Sequence, residues 1–499
     1  MVSTGWKEPA KGHKTRVYIA QDNSELDDFE AGVSRKVYEE LDKSPVGRVN
    51  LGIHLYDGKL YSSNLVGVCR LKNIYGDNIK DEAGNELVLK IIPRFNIDVV
   101  EILNYISRYD DEFDRYLAPQ TVSNHHNDKE IESVDRNEIF YFFENEKPLK
   151  VEDDISRESS IISVTIFLNL LKALCKRPLM GRMIRHDENL TAKVKGKIVI
   201  EKNIRVNTMH GRSDRFYCRY LHYTDNIPEN QALKAALLKS KRFITSYFGT
   251  TVNNRNIYTE VLSYCTNALK HIDDVTYTGD DCRKFRFSGY YVYYNKIMSL
   301  ASMILDEISL ESNGIVNTSG LVIPYAVSME KLFEVYVRAY LKHNGILSYK
   351  STATSGIQME KFDDKIDVFE DSPSDNSGKY IAGPIKPDII LRNITTGETA
   401  VYDVKYKDYR KNSRNDRLQL LAYGLMLNAN NIGIILPAIS EDRIFDSREV
   451  NSQEERLIKY HQILLKMQNK NDVEDNQPAN YIRNHIVDND NTGNGDDLS

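Results

Sequence analysis

The chain has 499 residues, of which 41% are hydrophobic and 28% charged. This composition is ordinary for a soluble protein, and the length is sufficient for two to four domains with their own cores. The formal net charge is −6, but residues 471–499 contain seven acids and one base, so residues 1–470 are neutral. Neutrality does not exclude nucleic acid as a partner, because local basic patches govern phosphate binding.

Cysteine spacing and hydropathy indicate the cellular compartment of the protein. The five cysteines lack the spacing of a zinc ribbon or a disulfide framework, which indicates a reducing compartment, and we expect a cytoplasmic protein. The longest apolar stretch, residues 161–174, is too short and too polar to span a membrane. The sequence contains no GxxxxGK[ST] loop, so we expect that the chain does not bind GTP itself.

The elements in chain order predict an α+β multidomain protein. Residues 1–150 mix strand-like runs with polar loops, which predicts an α/β N-terminal domain. Residues 151–315 carry apolar residues at helical spacing and predict a mostly helical region. Residues 316–470 predict a C-terminal α/β domain with a polar insertion at residues 363–386. Residues 471–499 are rich in Asn, Asp and Gly, which predicts a disordered acidic tail.

A hairpin in the C-terminal domain carries the most informative motif. Two β-rich runs flank a polar stretch, and a turn centred on Thr395 and Thr396 places Asp388 directly opposite Asp403. The Cβ atoms of such cross-strand partners are roughly 5 Å apart. Lys405 follows Asp403 by two residues and therefore shares its face. The hairpin thus predicts two carboxylates and one ammonium at a single point.

This grouping suits phosphodiester hydrolysis. Adjacent carboxylates repel each other unless a hard cation lies between them, and Mg²⁺, with Mn²⁺ as a substitute, prefers oxygen ligands. Asp388 and Asp403 are therefore candidate metal ligands, and the backbone carbonyl of Val404 is a further one. Lys405 is placed to orient the attacking water or to stabilise phosphoryl charge. The alternative interpretation is an ordinary exposed hairpin with a surface Lys–Asp pair.

Two predicted helices flank the hairpin in sequence. Residues 327–341 predict an amphipathic helix that carries Glu334 beside its apolar face. Glu334 is a candidate third acid of the metal site, where it would bind or position a metal-bound water. Residues 416–427 predict a second helix, on which Gln419 and Tyr423 lie four residues apart on one face. The ordinary alternatives are a solvated Glu334 and a core Tyr423. The order of all these residues along the chain is more specific than any one of them.

A basic cluster begins inside the motif. Six bases fall within 13 residues: Lys405, Lys407, Arg410, Lys411, Arg414 and Arg417. Their position beside the carboxylates favours contacts with nucleic-acid phosphates. The alternative is a solvated loop and helix start.

The motif order resembles that of the RecB-like branch of the PD-(D/E)xK nuclease superfamily. The matching positions are held by Glu334, Asp388, Asp403, Lys405, Gln419 and Tyr423. This resemblance implies a metal-dependent endodeoxyribonuclease with a restriction-endonuclease-like C-terminal domain at residues 316–470, in which Gln419 and Tyr423 hold DNA or shape the site.

Four further segments are similar to the McrC family. They are residues 89–95 (LKIIPRF), 196–198 (GKI), 227–230 (IPEN) and 329–334 (MEKLFE). Members of that family are nuclease subunits of McrBC-type 5-methylcytosine restriction systems. The resemblance implies a McrB-like AAA+ GTPase as partner. It also implies that an N-terminal portion of the chain stimulates GTP hydrolysis by this partner. We assign residues 151–315 to partner binding. The resemblance also implies modified double-stranded DNA as substrate.

Duplex cleavage needs two active sites, so we expect at least two copies of the chain in the active assembly. Two other functions stay open. A stand-alone RecB-like nuclease for repair or a mobile element is disfavoured by the long regions before residue 316. A non-catalytic adaptor that activates an AAA+ motor is disfavoured by the complete set of acids with Lys405.

Overall fold

The computed structural model describes residues 4–7, 14–33, 35, 38, 41, 49–73, 75–95, 97–110, 120–122, 139–143, 149–150, 153–248, 252–310, 316–318, 321–322, 324–360, 387–411, 414–438, 445–451, 457–466 and 477–487. The strands are β1 (Gly5–Lys7), β2 (Thr15–Gln21), β3 (His54–Tyr56), β4 (Lys59–Tyr61), β5 (Leu65–Arg70), β6 (Glu86–Ile92), β7 (Gln120–Val122), β8 (Phe140–Phe143), β9 (Leu149–Lys150), β10 (Arg182–Thr191), β11 (Lys197–Ile198), β12 (Arg215–Thr224), β13 (Ile308–Leu310), β14 (Val316–Thr318), β15 (Leu321–Val322), β16 (Tyr325–Ser328), β17 (Ile357–Glu360), β18 (Ile389–Asn393), β19 (Thr399–Val404), β20 (Asn431–Pro437), β21 (Phe445–Asn451) and β22 (Leu457–Leu465). The helices are α1 (Val99–Tyr109), α2 (Asp153–Cys175), α3 (Ile200–Val206), α4 (Pro228–Phe248), α5 (Val252–Ala268), α6 (Gly279–Arg283), α7 (Tyr294–Glu307), α8 (Met329–His343), α9 (Arg414–Met426) and α10 (Gln477–Val487).

The architecture is α+β, and the chain divides into two compact units. One unit joins Met1–Glu146 to Pro324–Ser499, and the other is formed by Lys147–Ile323. The segments predicted as separate N-terminal and C-terminal domains therefore belong to the same unit. Among the described residues, no helix combines the length and apolar character that a membrane crossing requires.

A seven-stranded sheet in the order β1-β2-β6-β5-β16-β8-β7 explains why the first unit contains both ends of the chain. β16 lies between β5 and β8 and pairs antiparallel with both. Gly67 of β5 permits the close approach, because an added Cβ would lie 2.1 Å from the Tyr325 carbonyl oxygen. Residues 327–328, predicted to be helical, complete this strand. Helix α8 begins after them because the Ser328 side chain accepts the N–H of Lys331.

The second sheet of this unit has the order β17-β18-β19-β20-β22-β21. β17, β18 and β19 run antiparallel, whereas β19, β20 and β22 are parallel and α9 forms the crossover from β19 to β20. Leu420 and Tyr423 of α9 pack in one buried cluster with Val401, Ile432 and Ile434 of the strands. Because side chains alternate along a strand, Asp403 lies on the same face of β19 as Val401.

The prediction of a disordered tail was wrong for Gln477–Val487, which form α10. Ala479, Ile482 and Ile486 are at most 1% exposed and lie three and four residues apart, so one helix face is covered by the unit. These three apolar residues are difficult to recognise as a helix face in the sequence because the residues around them are rich in Asn and Asp. The rest of the predicted tail and the insertion at residues 363–386 lie outside the described residues.

A buried polar network ties α10 to the second sheet. His461 of β22 is fully buried, with Nδ1 3.0 Å from Tyr481 Oη and Nε2 3.0 Å from Asn431 Oδ1. Asn431 donates its amide N–H to the His485 carbonyl, so its Oδ1 accepts and His461 Nε2 carries the proton. Burial, with smaller effects of His485 and Lys459, lowers the pKa of His461 to about 4. The imidazole is therefore neutral at physiological pH.

The second unit is built from long helices, as the periodicity predicts. α2, α4, α5 and α7 pack against one another. Thr165 and Tyr258 share a buried hydrogen bond of 2.7 Å between α2 and α5. A three-stranded antiparallel sheet in the order β10-β12-β11 carries the short helix α3, in which no residue is buried. The unit thus combines a helical core with an exposed β-hairpin.

The buried His461 should make stability fall in acid. Because its folded pKa lies below its unfolded value, its stabilising contribution is complete above about pH 6.5 and is lost as the pH falls towards 4. Protonation should cost roughly 3 kcal/mol. Urea unfolding at pH 7 and pH 4 should therefore show a smaller loss of stability for His461→Gln than for the wild type. Equal losses in the two proteins would contradict the buried neutral imidazole.

Candidate functional site

The β18–β19 hairpin has the register that the sequence predicts. Ile389 pairs with Tyr402, and continuing this register by one residue places Asp388 opposite Asp403. The turn is built by Asn393, whose side-chain Oδ1 accepts the backbone N–H of Thr395 at 2.9 Å and that of Thr396 at 3.2 Å. Turn geometry and strand register together bring the two carboxylates to one end of the hairpin.

The two carboxyl groups form a close buried pair. Asp403 is 1% exposed, and Asp388 Oδ2 accepts the backbone N–H of Val404 at 2.8 Å. Burial raises the pKa of Asp388 well above its ordinary range, and the charges of Glu334 and Asp403 and a hydrogen bond with Asp403 add to this effect. The pair therefore retains a proton at neutral pH unless a cation compensates its charge.

Lys405 completes the cluster on the same face. Its Nζ lies 3.0 Å from Asp403 Oδ2. Burial by itself lowers the pKa of Lys405, but the carboxylates of Asp403 and Asp388 outweigh it, and the net shift is upward. The ammonium consequently stays charged at the point where the carboxylates meet.

Glu334 lies near the pair but is held by its own helix. Its Oε2 is 2.5 Å from Lys331 Nζ, and its Oε1 is 3.6 Å from Arg338 Nη1. Its charge contributes to the raised pKa of Asp388, so the carboxylate is electrostatically part of the site. Glu334 is therefore not a solvated helix residue, since its side chain is only 17% exposed.

Gln419 and Tyr423 form a polar pair on α9 beside the carboxylates. Gln419 donates its Nε2 N–H to Tyr423 Oη at 2.5 Å, and Tyr423 is 2% exposed. Burial raises the pKa of Tyr423, the Gln419 bond opposes the rise, and Asp403 and Asp388 add to it. Tyr423 is thus a core residue, as in the alternative interpretation. The charges of Asp403 and Asp388 nevertheless act on its hydroxyl.

The donor set fits a cation with few protein ligands. No group of three or more His, Cys, Asp or Glu side chains among the described residues is arranged to hold a metal. Asp403 Oδ2 is nevertheless buried without a well-formed hydrogen bond, although Lys405 Nζ lies near it. A repelling carboxylate pair with one such oxygen suits Mg²⁺, which is usually bound by one or two carboxylates, water and substrate phosphates.

The basic cluster is only partly available to a ligand. Lys407 forms an ion pair with Asp416, and Arg410 lies 3.7 Å from Asp408. Arg414 and Arg417, in the first turn of α9, are exposed. The side chain of Lys411 lies outside the described residues. Among the described bases of this cluster, the exposed positive charge therefore lies at Arg410, Arg414 and Arg417.

Sequence reasoning did not assign a role to Arg94, which reaches this site from the end of β6. Its guanidinium donates to the carbonyl of Tyr406, the residue after Lys405. The signal in the sequence is the Pro-Arg-Phe of residues 93–95, which lies within the McrC-like segment of residues 89–95.

The family of the chain follows from comparison with known sequences. The family model described as the McrBC 5-methylcytosine restriction system component matches residues 94–437. The chain belongs to this family. The matched range contains every predicted site residue, from Glu334 to Tyr423, and also Arg94. No curated protein matches the chain.

Two solved structures are similar to the chain. One is the half-complex from a tetradecameric assembly of Thermococcus gammatolerans McrB AAA+ hexamers with bound McrC, at 14% identity and a TM-score of 0.40, covering 95% of this chain and 100% of that chain. The other is the Thermococcus gammatolerans McrBC complex, at 15% identity and a TM-score of 0.28, covering 66% of this chain and 88% of that chain.

The strained carboxyl pair should lower stability in the metal-free McrBC-family protein. Because the folded pKa of Asp388 is raised, its stabilising contribution is present below about pH 4 and is lost as the pH rises. Asp388→Asn should therefore be more stable than the wild type, by roughly 1–3 kcal/mol at pH 8 and less at pH 5. Chemical unfolding in EDTA measures this difference.

Addition of Mg²⁺ provides the companion measurement. The ion should raise the unfolding temperature of the wild type, because it binds the folded state, and should have little effect on Asp388→Asn. A wild type that is more stable than Asp388→Asn at pH 8 in EDTA would show that the pair is not repulsive.

Proposed function

We propose that the chain is the Mg²⁺-dependent DNA endonuclease subunit of a McrBC-like, modification-dependent restriction system. It would cleave DNA together with a GTP-driven AAA+ partner and stimulate the GTPase of that partner. The observation that carries the proposal is the meeting of Asp388, Asp403 and Lys405 at one end of a hairpin. Membership of the McrBC family supports it independently.

Asp388 and Asp403 would hold the ion, with the Val404 carbonyl as a further candidate ligand. A bound Mg²⁺ ion supplies Lewis acidity at the scissile phosphate and lowers the pKa of water. The N–H of Val404 orients Asp388 by binding its Oδ2. Mn²⁺, which also accepts oxygen ligands, is the expected substitute.

Lys405 would stabilise the negative charge that develops during phosphodiester cleavage. Its ammonium stays protonated beside Asp403, so it can stabilise the negative charge that develops on the phosphoryl oxygens or orient the attacking water. Glu334, fixed by Lys331 and Arg338, would position water at the edge of the site. Gln419 and Tyr423 would shape the wall that faces DNA.

The topology supports a PD-(D/E)xK nuclease fold for the second sheet. The acids lie where an antiparallel hairpin meets parallel strands, and α9 covers the same face of the sheet. Arg414 and Arg417 extend positive charge from the site along α9, where they would contact DNA phosphates. Duplex cleavage would need at least two copies of the chain in the assembly.

The second unit would bind the AAA+ partner. The hairpin formed by β10 and β12 carries α3, whose Ile200 and Ile204 lie four residues apart and are 69% and 47% exposed. Met209, which follows α3, is 76% exposed. An exposed apolar patch of this kind is typical of an interaction surface, and we propose an AAA+ subunit of the restriction system as its occupant.

Plasmid cleavage tests the nuclease proposal. With the partner, GTP and Mg²⁺, the wild type should cut methylated DNA, and Asp403→Ala should lose at least about 100-fold in rate because a metal ligand is missing. Glu398→Gln is the matched control, since it changes an acid at the turn end of the same hairpin, about 17 Å along the strand from Asp403. It should cut at the wild-type rate.

Other outcomes of the plasmid-cleavage assay would favour one of the two alternative functions. Cutting without the partner or GTP would indicate a stand-alone nuclease. Cutting by Asp403→Ala at the wild-type rate would remove the proposed centre, and absence of cutting by the wild type under every condition would favour the non-catalytic adaptor.

Stimulation of the GTPase tests the partner surface. The double variant Ile200→Asp/Ile204→Asp should bind the partner more weakly and stimulate GTP hydrolysis less, because it places two charges in an apolar contact. Glu201→Ala changes the same short helix without adding charge to its apolar face and should behave as the wild type. Undiminished stimulation by the double variant would show that the partner binds elsewhere.

A further inference from the structure

A half-buried arginine joins the N-terminal sheet to the segment that follows β19. Arg94 donates a guanidinium N–H to the backbone carbonyl of Tyr406. The same guanidinium lies 4.8 Å from the centre of the Tyr406 ring and 4.9 Å from that of Phe95. Arginine is suited to this arrangement because its planar group stacks on rings while its edges donate hydrogen bonds. Backbone and side chain of Tyr406 are thus both held by one residue.

Arg94 is itself fixed from the sheet. Asp22, which follows β2 and is fully buried, accepts the backbone N–H of Arg94 at 2.5 Å. Its Oδ2 lies 3.6 Å from Arg94 Nε. The N–H of Asp22 donates to the carbonyl of Ile92 at 2.9 Å, so the anchor is part of the β2–β6 edge. The guanidinium therefore has a defined position before it contacts Tyr406.

Tyr406 is enclosed on its other sides as well. The residue is 4% exposed, and its ring centre lies 5.1 Å from that of Phe95 in an edge-to-face arrangement. The ring of Phe333, the residue before Glu334, lies 6.2 Å away. Tyr406 thus packs between the N-terminal sheet and helix α8, one residue after Lys405.

The backbone around Lys405 depends on these contacts because β19 ends at Val404. The N–H of Lys405 donates to Ile435 at 3.0 Å, and the N–H of Lys407 turns back to the Lys405 carbonyl at 3.1 Å. Lys405 is therefore still bonded to β20, and the chain bends immediately after it. The bond from Arg94 to the Tyr406 carbonyl holds the middle of this bend.

We propose that Arg94 is a positioning residue for Lys405: it fixes the bend at residues 405–407 and so directs the Lys405 ammonium toward Asp403. The kinetic consequence rests on the nuclease function proposed above, whereas the effect on the bend does not. Arg94 touches none of the groups assigned to catalysis, so it acts through the Tyr406 backbone.

Kinetics of the full-length chain with its partner and GTP provide the first test. Arg94→Ala and Arg94→Lys should lower kcat for DNA cleavage about 10- to 100-fold with KM for DNA unchanged, because a displaced catalytic group costs rate without weakening substrate binding. In a Lys405→Ala background, Arg94→Ala should cause no further loss, since residues that act through one another are not additive. Arg70→Lys is the matched control, because Arg70 is a buried arginine paired with Glu86 within the N-terminal sheet.

Hydrogen exchange of the metal-free protein provides a test that needs no activity. The amides of Lys405 and Lys407 should exchange at least about 10-fold faster in both Arg94 variants, while the amides of β20 keep their protection and Arg70→Lys matches the wild type. Thermal unfolding shows whether each variant folds. If Arg94→Ala does not fold, Arg94→Lys provides the exchange measurement.

The outcomes separate the two proposals. A wild type that does not cleave refutes the nuclease function, and exchange alone then decides the role of Arg94. A wild-type kcat in both Arg94 variants, a further loss in the Lys405→Ala background, or unchanged exchange at residues 405 and 407 would each overturn the positioning role.

Discussion

The mutual repulsion of two buried carboxyl groups is the constraint on which the rest of the site depends. Asp388 and Asp403 face each other at the end of one hairpin, and burial together with negative neighbours raises the pKa of Asp388. A fold tolerates such a pair only when the surrounding structure holds it in place. Here the Val404 N–H and the Lys405 ammonium provide direct compensation.

The surrounding elements supply the support that this arrangement needs. Helix α8 carries Glu334 between two cations, and α9 places the hydroxyl of Tyr423 beside the acids. The N-terminal sheet reaches the same place through Arg94 and its contact with the Tyr406 carbonyl. Helices and strands thus hold the two acids and Lys405 from several directions, which is the support that a preorganised site would require.

The acidic centre and the exposed apolar surface of this McrBC-family protein lie in different units. The unit that contains both chain ends carries the whole acidic centre, because β16 completes the N-terminal sheet and leads directly into α8. The unit formed by Lys147–Ile323 combines a helical core with a hairpin whose short helix exposes apolar side chains. The proposed function would therefore place chemistry and partner contact in different compact units of the chain.

The sequence by itself determined the local features of the centre. Hairpin spacing predicts the Asp388–Asp403 register, because a turn of given length sets which residues face each other. Helical periodicity likewise places Gln419 beside Tyr423 and predicts the helices of the second unit, since i and i+4 side chains share a face.

Only the tertiary structure decided the long-range features. The pairing of β16 with β5 and β8, the helix within the predicted tail and the contact of Arg94 with Tyr406 each join segments far apart in sequence. Local periodicity carries no information about such pairings. The state of the acids is likewise a tertiary property, because the pKa of Asp388 depends on burial and on Glu334, which lies on another element.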